Sequence, residues 1–414
     1  MVEYIGSVFT ALLLVFSSAA PTWAAAPAAA PRPSSHVIVF QDGTTAQQRQ
    51  AILAQAGGKV VREIPSLDAV VVEDQGFKPD AAMRLKAEPA VESVEPDVYS
   101  IWVKSGPAPL SSVAIPSVRE ALKAGGDVPA LGAGVAKASR SAGQATVPWG
   151  VQRVGAPGAW SRTTGQGVKV AVIDTGIDAS HPDLAPNYAG GVNIIDPQSD
   201  PMDDHGHGTH VAGTIAGAGV GRGVVGVAPR ARLYAVKVLD AKGGGTNSAI
   251  AEGIAWAVDN GMQVINMSLG GPSSSVLKKA VQKAYQAGIT IVCAAGNDPN
   301  APVSAPASYP ETIAVSASAS DDSLASFSST GPEVDFVAPG QDIVSTWPGG
   351  KYAKLSGTSM ASPHVAGLAA LAIGLGADSP AAVKSMLRGA AAPVDGLDKN
   401  QQGYGMVNAA QLGQ

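Results

Sequence analysis

Between residues 168 and 316, five short runs are apolar at nearly every position: Val168 to Ile173, Leu233 to Leu239, Met262 to Asn266, Ile289 to Ala294 and Thr312 to Ser316. Runs of this length read as strands, and strands without an apolar–polar alternation are buried on both faces. Helical patterns lie around and between them: Val211 to Ala216, Asn247 to Asn260, Ser274 to Ala287, the run after Ser359, and Ala381 to Ala390. Strands alternating with helices predict an α/β domain, a mostly parallel sheet with helices on both faces. Ligands of such sheets bind outside the carboxyl ends of the strands, so the chemistry is to be sought there.

The chain ahead of this domain divides into three. Residues 1–26 read as an export signal: the apolar run Ile5 to Phe16 is short for a membrane span, and Thr22-Trp23-Ala24 and Ala24-Ala25-Ala26 offer small-residue cleavage sites. Glu3 stands where positive charge is usual, and an uncleaved anchor is the alternative. Residues 34–104 read as strand, helix, strand, strand, helix, strand, a small α+β ferredoxin-like unit. Residues 105–144 are rich in Pro, Ala, Gly and Ser and read as a linker open to proteolysis. The domain proper spans 145–414. With 28 basic and 33 acidic residues the net charge is −5, so nucleic-acid binding has no electrostatic support. The single cysteine, Cys293, excludes an intramolecular disulfide and reads as a buried, inert thiol within a strand.

Four segments carry polar residues at positions where catalysis is plausible by chemistry. Asp174, in Ile173-Asp174-Thr175-Gly176, closes the first strand. Hydrophobic-Asp-Thr-Gly also marks aspartic proteases, but these need two such aspartates sharing a proton, and a second Asp-Thr-Gly or Asp-Ser-Gly is missing. The run Asp203-Asp204-His205-Gly206-His207-Gly208-Thr209-His210 has histidines spaced by two and three, not the i, i+4 pair of zinc-binding helices. Its glycines let His207 stand at the mouth of a helix with its ring free to turn. Asn297 follows a strand and Ala294-Ala295-Gly296; its amide suits charge on a carbonyl oxygen, or simply a turn. Ser359 lies in Gly357-Thr358-Ser359-Met360-Ala361-Ser362-Pro363, ahead of an apolar run to Leu375. Proline is tolerated only in a first turn, which puts the helix start just before Pro363 and makes Ser359 either an N-cap or a nucleophile.

Taken together, these blocks resemble the subtilisin-like serine peptidases, the subtilases, from about Val147 to the C-terminus. Further matches are Val147-Pro148-Trp149-Gly150-Val151, His181-Pro182-Asp183-Leu184 and Gly226-Val227-Ala228-Pro229. The resemblance implies Ser359 as nucleophile, His207 as general base, Asp174 as the residue orienting its imidazole, and Asn297 as oxyanion donor. It implies that Ser268-Leu269-Gly270 pairs with substrate backbone and that Ala294, Ala295 and Gly296 line a pocket for apolar side chains. It implies a secreted, monomeric endopeptidase of broad specificity acting on proteins and peptides, with no catalytic cofactor. The front unit resembles the subtilase propeptide, an intramolecular inhibitor and folding aid cut away by the enzyme itself, the cut falling near 99–104, near 141–145, or both. Asp183 matches a ligand of the family's structural calcium, although Val220 stands where an asparagine ligand is usual. Two other classes remain open: an α/β-hydrolase esterase using Ser268, Asp335 and His364, and an inactive binding scaffold.

Overall fold

The computed structural model of the chain describes residues 35–78, 80–103 and 145–414; the expected signal segment and the whole of the expected linker lie outside these. The first unit runs β1 (Ser35–Phe40), α1 (Ala46–Ala56), β2 (Val60–Ile64), β3 (Ala69–Glu73), α2 (Ala81–Lys86) and β4 (Val91–Pro96). Its strands lie in the order β2-β3-β1-β4, antiparallel throughout, as in the ferredoxin-like arrangement. Helix α1 starts at a capping box: Thr45 accepts from the Gln48 backbone and the Gln48 side chain reaches back.

Strand β1 shows why the unit reads as apolar on both faces. Ile38 and Phe40 pack with Ile52, Leu85 and Val94 in the unit's own core. Val37 and Val39, pointing the other way, join a core shared with Ile250, Ile254, Leu277 and Val281 of the larger domain. The alternate residues of one strand thus serve two different cores.

After β4 a short strand, β5 (Tyr99–Ile101), runs onto the larger domain. There the sheet order is β13 (Val334–Pro339), β12 (Ile313–Ser318), β11 (Thr290–Ala294), β10 (Val264–Met267), β6 (Lys169–Asp174), β8 (Arg232–Lys237) and β7 (Tyr188–Asn193), every neighbouring pair parallel. Strands β7 and β13 had not been expected from the sequence. On one face Val170, Val172 and Val292 meet α3 (His207–Ala216) and α6 (Thr358–Gly374). On the other, Ala171, Ile173 and Ile291 meet α4 (Asn247–Asp259) and α5 (Ser275–Gln286). Strand β9 (Gly244–Thr246) lies outside the sheet and pairs with β5; the hairpin β14 (Ile343–Trp347) and β15 (Lys351–Leu355) precedes α6. Helix α7 (Pro380–Gly389) follows it.

Helix α6 corrects one expectation. It begins at Thr358, five residues before Pro363, so the proline lies inside the helix and not in its opening. The helix tolerates it because the bond Pro363 cannot make is replaced: the Ser359 carbonyl accepts from the Ser268 hydroxyl at 2.8 Å. No described helix is long and apolar enough to cross a membrane.

Candidate active site

Asp174 is the last residue of β6 and fully buried. Its carboxylate accepts from the Thr175 backbone N–H at 2.7 Å and faces Nδ1 of His207 at 2.8 and 3.0 Å. His207 opens α3 behind Gly206, whose φ of 108° is in the region that favours glycine. A side chain at Gly206 would run into the Trp347 indole, and one at Gly208 into the Gly176 carbonyl. These glycines therefore let the helix mouth press against the Asp174 turn. They do not leave the ring free to swing, since Asp174 pins it.

The electrostatics follow from burial and that carboxylate. Burial disfavours the charged imidazole of His207, but Asp174, through charge and hydrogen bond, and Asp203, through charge, outweigh it and raise the pKa above the usual 6.5. With Nδ1–H given to Asp174, the lone pair is on Nε2, a buried atom with no hydrogen-bond partner. Ser359, the second residue of α6, directs its hydroxyl to the Ser268 carbonyl at 2.9 Å and not to Nε2.

Asn297 lies half-buried beyond β11. Its Oδ1 accepts from the Thr358 backbone N–H at 2.8 Å and the Thr358 hydroxyl at 2.9 Å, which commits the oxygen to α6 and leaves the NH2 end as donor. Ala294 and Ala295 are buried; Gly296 stands at φ 126°, its Cα side packed on Ser329 and Ser304. Gly270 also backs onto Ser304, so the two predicted substrate-lining segments meet there.

Along Gly270 lies the chain's own front segment. Strand β5 pairs antiparallel with β9, and the backbone N–H groups of Trp102 and Val103 donate to the Gly243 carbonyl at 2.9 and 3.1 Å. From the other side the Gly270 N–H donates to the Trp102 carbonyl at 3.2 Å. The Trp102 indole is buried, with its N–H on the Gly245 carbonyl at 3.0 Å. This is an added strand between two backbone edges.

Carboxylates of the front unit hold it against the larger domain. Glu95 accepts from the backbone N–H groups of Ser275 and Val276 at 2.8 and 3.0 Å, and Asp97 from the Ser248 N–H and hydroxyl at 3.0 and 2.6 Å. Both lie at helix N-termini, where negative charge is favoured. Arg62–Glu252 and Lys279–Glu92 add ion pairs at 3.0 and 2.6 Å.

Other sequence readings are not brought together. His210 bonds the Ile343 and Ala353 carbonyls and burial lowers its pKa to about 3; His364 bonds the Met360 carbonyl, with a pKa lowered by burial to about 4. Among the described residues no group of three or more His, Cys, Asp or Glu could hold a metal. Ser268 is fully buried and bonded to Ser359 and Ser362, while Asp335 pairs with Lys384 at 2.7 Å, so the esterase arrangement does not assemble. Asp183, the expected calcium ligand, accepts from the Val220 and Val224 N–H groups at 2.7 and 2.8 Å and the Tyr352 hydroxyl at 2.9 Å. Gly223 backs directly onto both of its oxygens. Hydrogen-bond donors converge on this carboxylate, an environment that does not fit a cation.

Comparison with known proteins agrees with this architecture. The model of the subtilase family matches residues 165–405, and that of the fervidolysin N-terminal prodomain matches residues 32–97. Subtilisin Savinase of Lederbergia lenta is 53% identical over 228 residues, 55% of this chain and 84% of that protein. Subtilisin E of Bacillus subtilis strain 168 is 54% identical over 233 residues, 55% of this chain and 61% of its own length. For M-protease of Shouchella clausii strain KSM-K16 the figures are 53% over 228 residues, 55% and 59%, so the match spans less than two thirds of the longer relatives. With the family model covering more than half of its length and behind a matching prodomain, the chain belongs to the subtilase family.

Proposed function

We propose that the chain is the zymogen of an exported serine endopeptidase of broad specificity, cut by itself and then inhibited by its own front unit. The observation that supports this reading is the segment Tyr99–Val103, held as an added strand between the Gly243–Thr246 edge and Gly270. A site made for small esters has no use for two backbone edges; one made for polypeptide does.

In this reading Ser359 turns its hydroxyl from the Ser268 carbonyl toward Nε2 of His207. As Oγ bonds the substrate carbonyl carbon, its proton passes to Nε2, and Asp174 stabilises the imidazolium. The carbonyl oxygen takes the negative charge and accepts from the Asn297 amide and the Ser359 N–H. Collapse expels the amine, which leaves with the proton from Nε2, and water then repeats the sequence on the acyl-enzyme. Ala294, Ala295 and Gly296 offer no charge, which favours apolar side chains before the scissile bond. The apolar run Ile5 to Phe16 and the small residues behind it support export.

The test is to express the full chain and Ser359→Ala side by side. Wild type sheds the front unit and hydrolyses denatured casein, while the mutant accumulates uncut. A mutant maturing to the same N-terminus, with other proteases absent, refutes self-processing. Correctly folded, processed wild type without any hydrolysis would point to a binding scaffold instead.

A further inference from the structure

Asp203 is a buried carboxylate that the reaction scheme leaves unused. One oxygen accepts from the Thr175 hydroxyl at 2.8 Å and from the backbone N–H groups of His205 and Gly206 at 3.0 and 2.8 Å. The other accepts from the Thr209 N–H at 2.9 Å and the Thr209 hydroxyl at 2.6 Å. Thr175 in turn accepts from the Gly208 N–H at 3.0 Å, and its own N–H is on Asp174. A single carboxylate thus ties together the turn after β6, the loop before α3 and the first turn of α3.

We propose that Asp203 is a positioning residue of the peptidase reaction: it sets the register between Asp174 and His207 and places a second negative charge near the imidazolium. The inference rests on the peptidase reading above. The geometry requires such a tie, because Asp174 and His207 are on separate elements and a displacement of about 1 Å costs on the order of a hundredfold in rate. The charge has a visible consequence, since Asp203 adds to Asp174 in raising the pKa of His207. The other titratable groups nearby are His205, its ring centroid 6.3 Å from that of His207, the neutral His210, and Asp204, paired with Lys237 at 2.6 Å.

Asp203→Asn removes the charge and sets an NH2 against donors that now meet an oxygen. The full chain is expressed, its active sites are titrated with a fluorophosphonate, and kcat and KM for a fluorogenic peptide are measured against pH. We expect kcat to fall about ten- to a hundredfold with KM little changed. The acid limb should move to lower pH, because a charge that favours the protonated imidazole is gone. Thr175→Val, which cuts the tie but keeps the charge, should lower kcat without moving the acid limb, and Thr175→Ser should recover most of the loss. An unchanged acid limb in Asp203→Asn, a loss confined to KM, or full turnover in Thr175→Val overturns the proposal. Wild type that neither labels at Ser359 nor cleaves the peptide overturns the peptidase reading instead.

Discussion

Removing the Trp102 side chain should weaken the inhibition proposed for the front unit. The indole is 2% exposed, packs in one core with Leu239 and Leu269, and lies so close to Gly271 that a Cβ there would be 2.8 Å from the ring. A buried tryptophan removes roughly 150–250 Å² from water, which at about 25 cal/mol per Å² is on the order of 4–6 kcal/mol. Alanine keeps part of that area, and a groove at the surface refills with water, so the cavity penalty of a sealed core is absent. The lost bond to the Gly245 carbonyl adds little for the same reason. About 3 kcal/mol remains, a little over a hundredfold in affinity. Trp102 is absent from the front unit's own core, so the loss should fall on docking alone. The assay is inhibition of the processed enzyme by the separately made segment 34–103 and its Trp102→Ala form. An inhibition constant raised by less than about threefold would refute the reasoning, since it corresponds to under about 1 kcal/mol. Trp102→Phe, which keeps most of the area, should stay within roughly tenfold of wild type.

Three further outcomes are expected. Asn297→Ala should lower kcat about 10²- to 10³-fold with KM nearly constant, measured by steady-state kinetics on titrated enzyme. His210 and His364 have folded pKa values depressed to about 3 and about 4, so each contributes stability that is complete above the unfolded value of about 6.5. As pH falls below that value each should withdraw up to about 1.4 kcal/mol per unit until its folded pKa is reached, seen in urea midpoints of the Ser359→Ala chain from pH 7 to 4. Asp183→Asn should destabilise by about 2–4 kcal/mol because the amide NH2 that replaces one carboxylate oxygen cannot accept, leaving donors among Val220, Val224 and Tyr352 unmatched, whereas a chelator should leave the melting temperature unchanged.

The sheet was legible because its central strands carry apolar residues on both faces, and the paired cores around Val170 and Ala171 are the direct consequence. Strand β7, Tyr-Ala-Gly-Gly-Val-Asn, was not, for its two glycines suppress both propensity and pattern. Asp174, His207, Asn297 and Ser359 were legible as motifs. Their supports were not: Asp203 meets Thr175 across 28 positions, and Glu95 meets Ser275 across 180. Nothing local in a sequence records such pairings. The surface that the front unit's carboxylates complement is formed by a distant part of the chain.

Pro363 is the instructive case. Read locally, a proline forbids the helix ahead of it; the fold instead uses what the proline takes away. Without an N–H at 363, the Ser359 carbonyl has no partner one turn along, and the Ser268 hydroxyl takes its place while the Ser268 carbonyl accepts the Ser359 hydroxyl. Ser362 and Asn266 extend the link, with Ser362 donating to the Asn266 side chain at 2.8 Å and Asn266 donating to Ser268 at 2.9 Å. A gap in the helix ladder therefore joins the candidate nucleophile to the end of β10. That same strand end continues into Leu269 and Gly270, where the bound segment makes its backbone contact. The Ser359 hydroxyl and the edge that holds Trp102 are thus referenced to one set of buried bonds, so displacing either one must disturb the other.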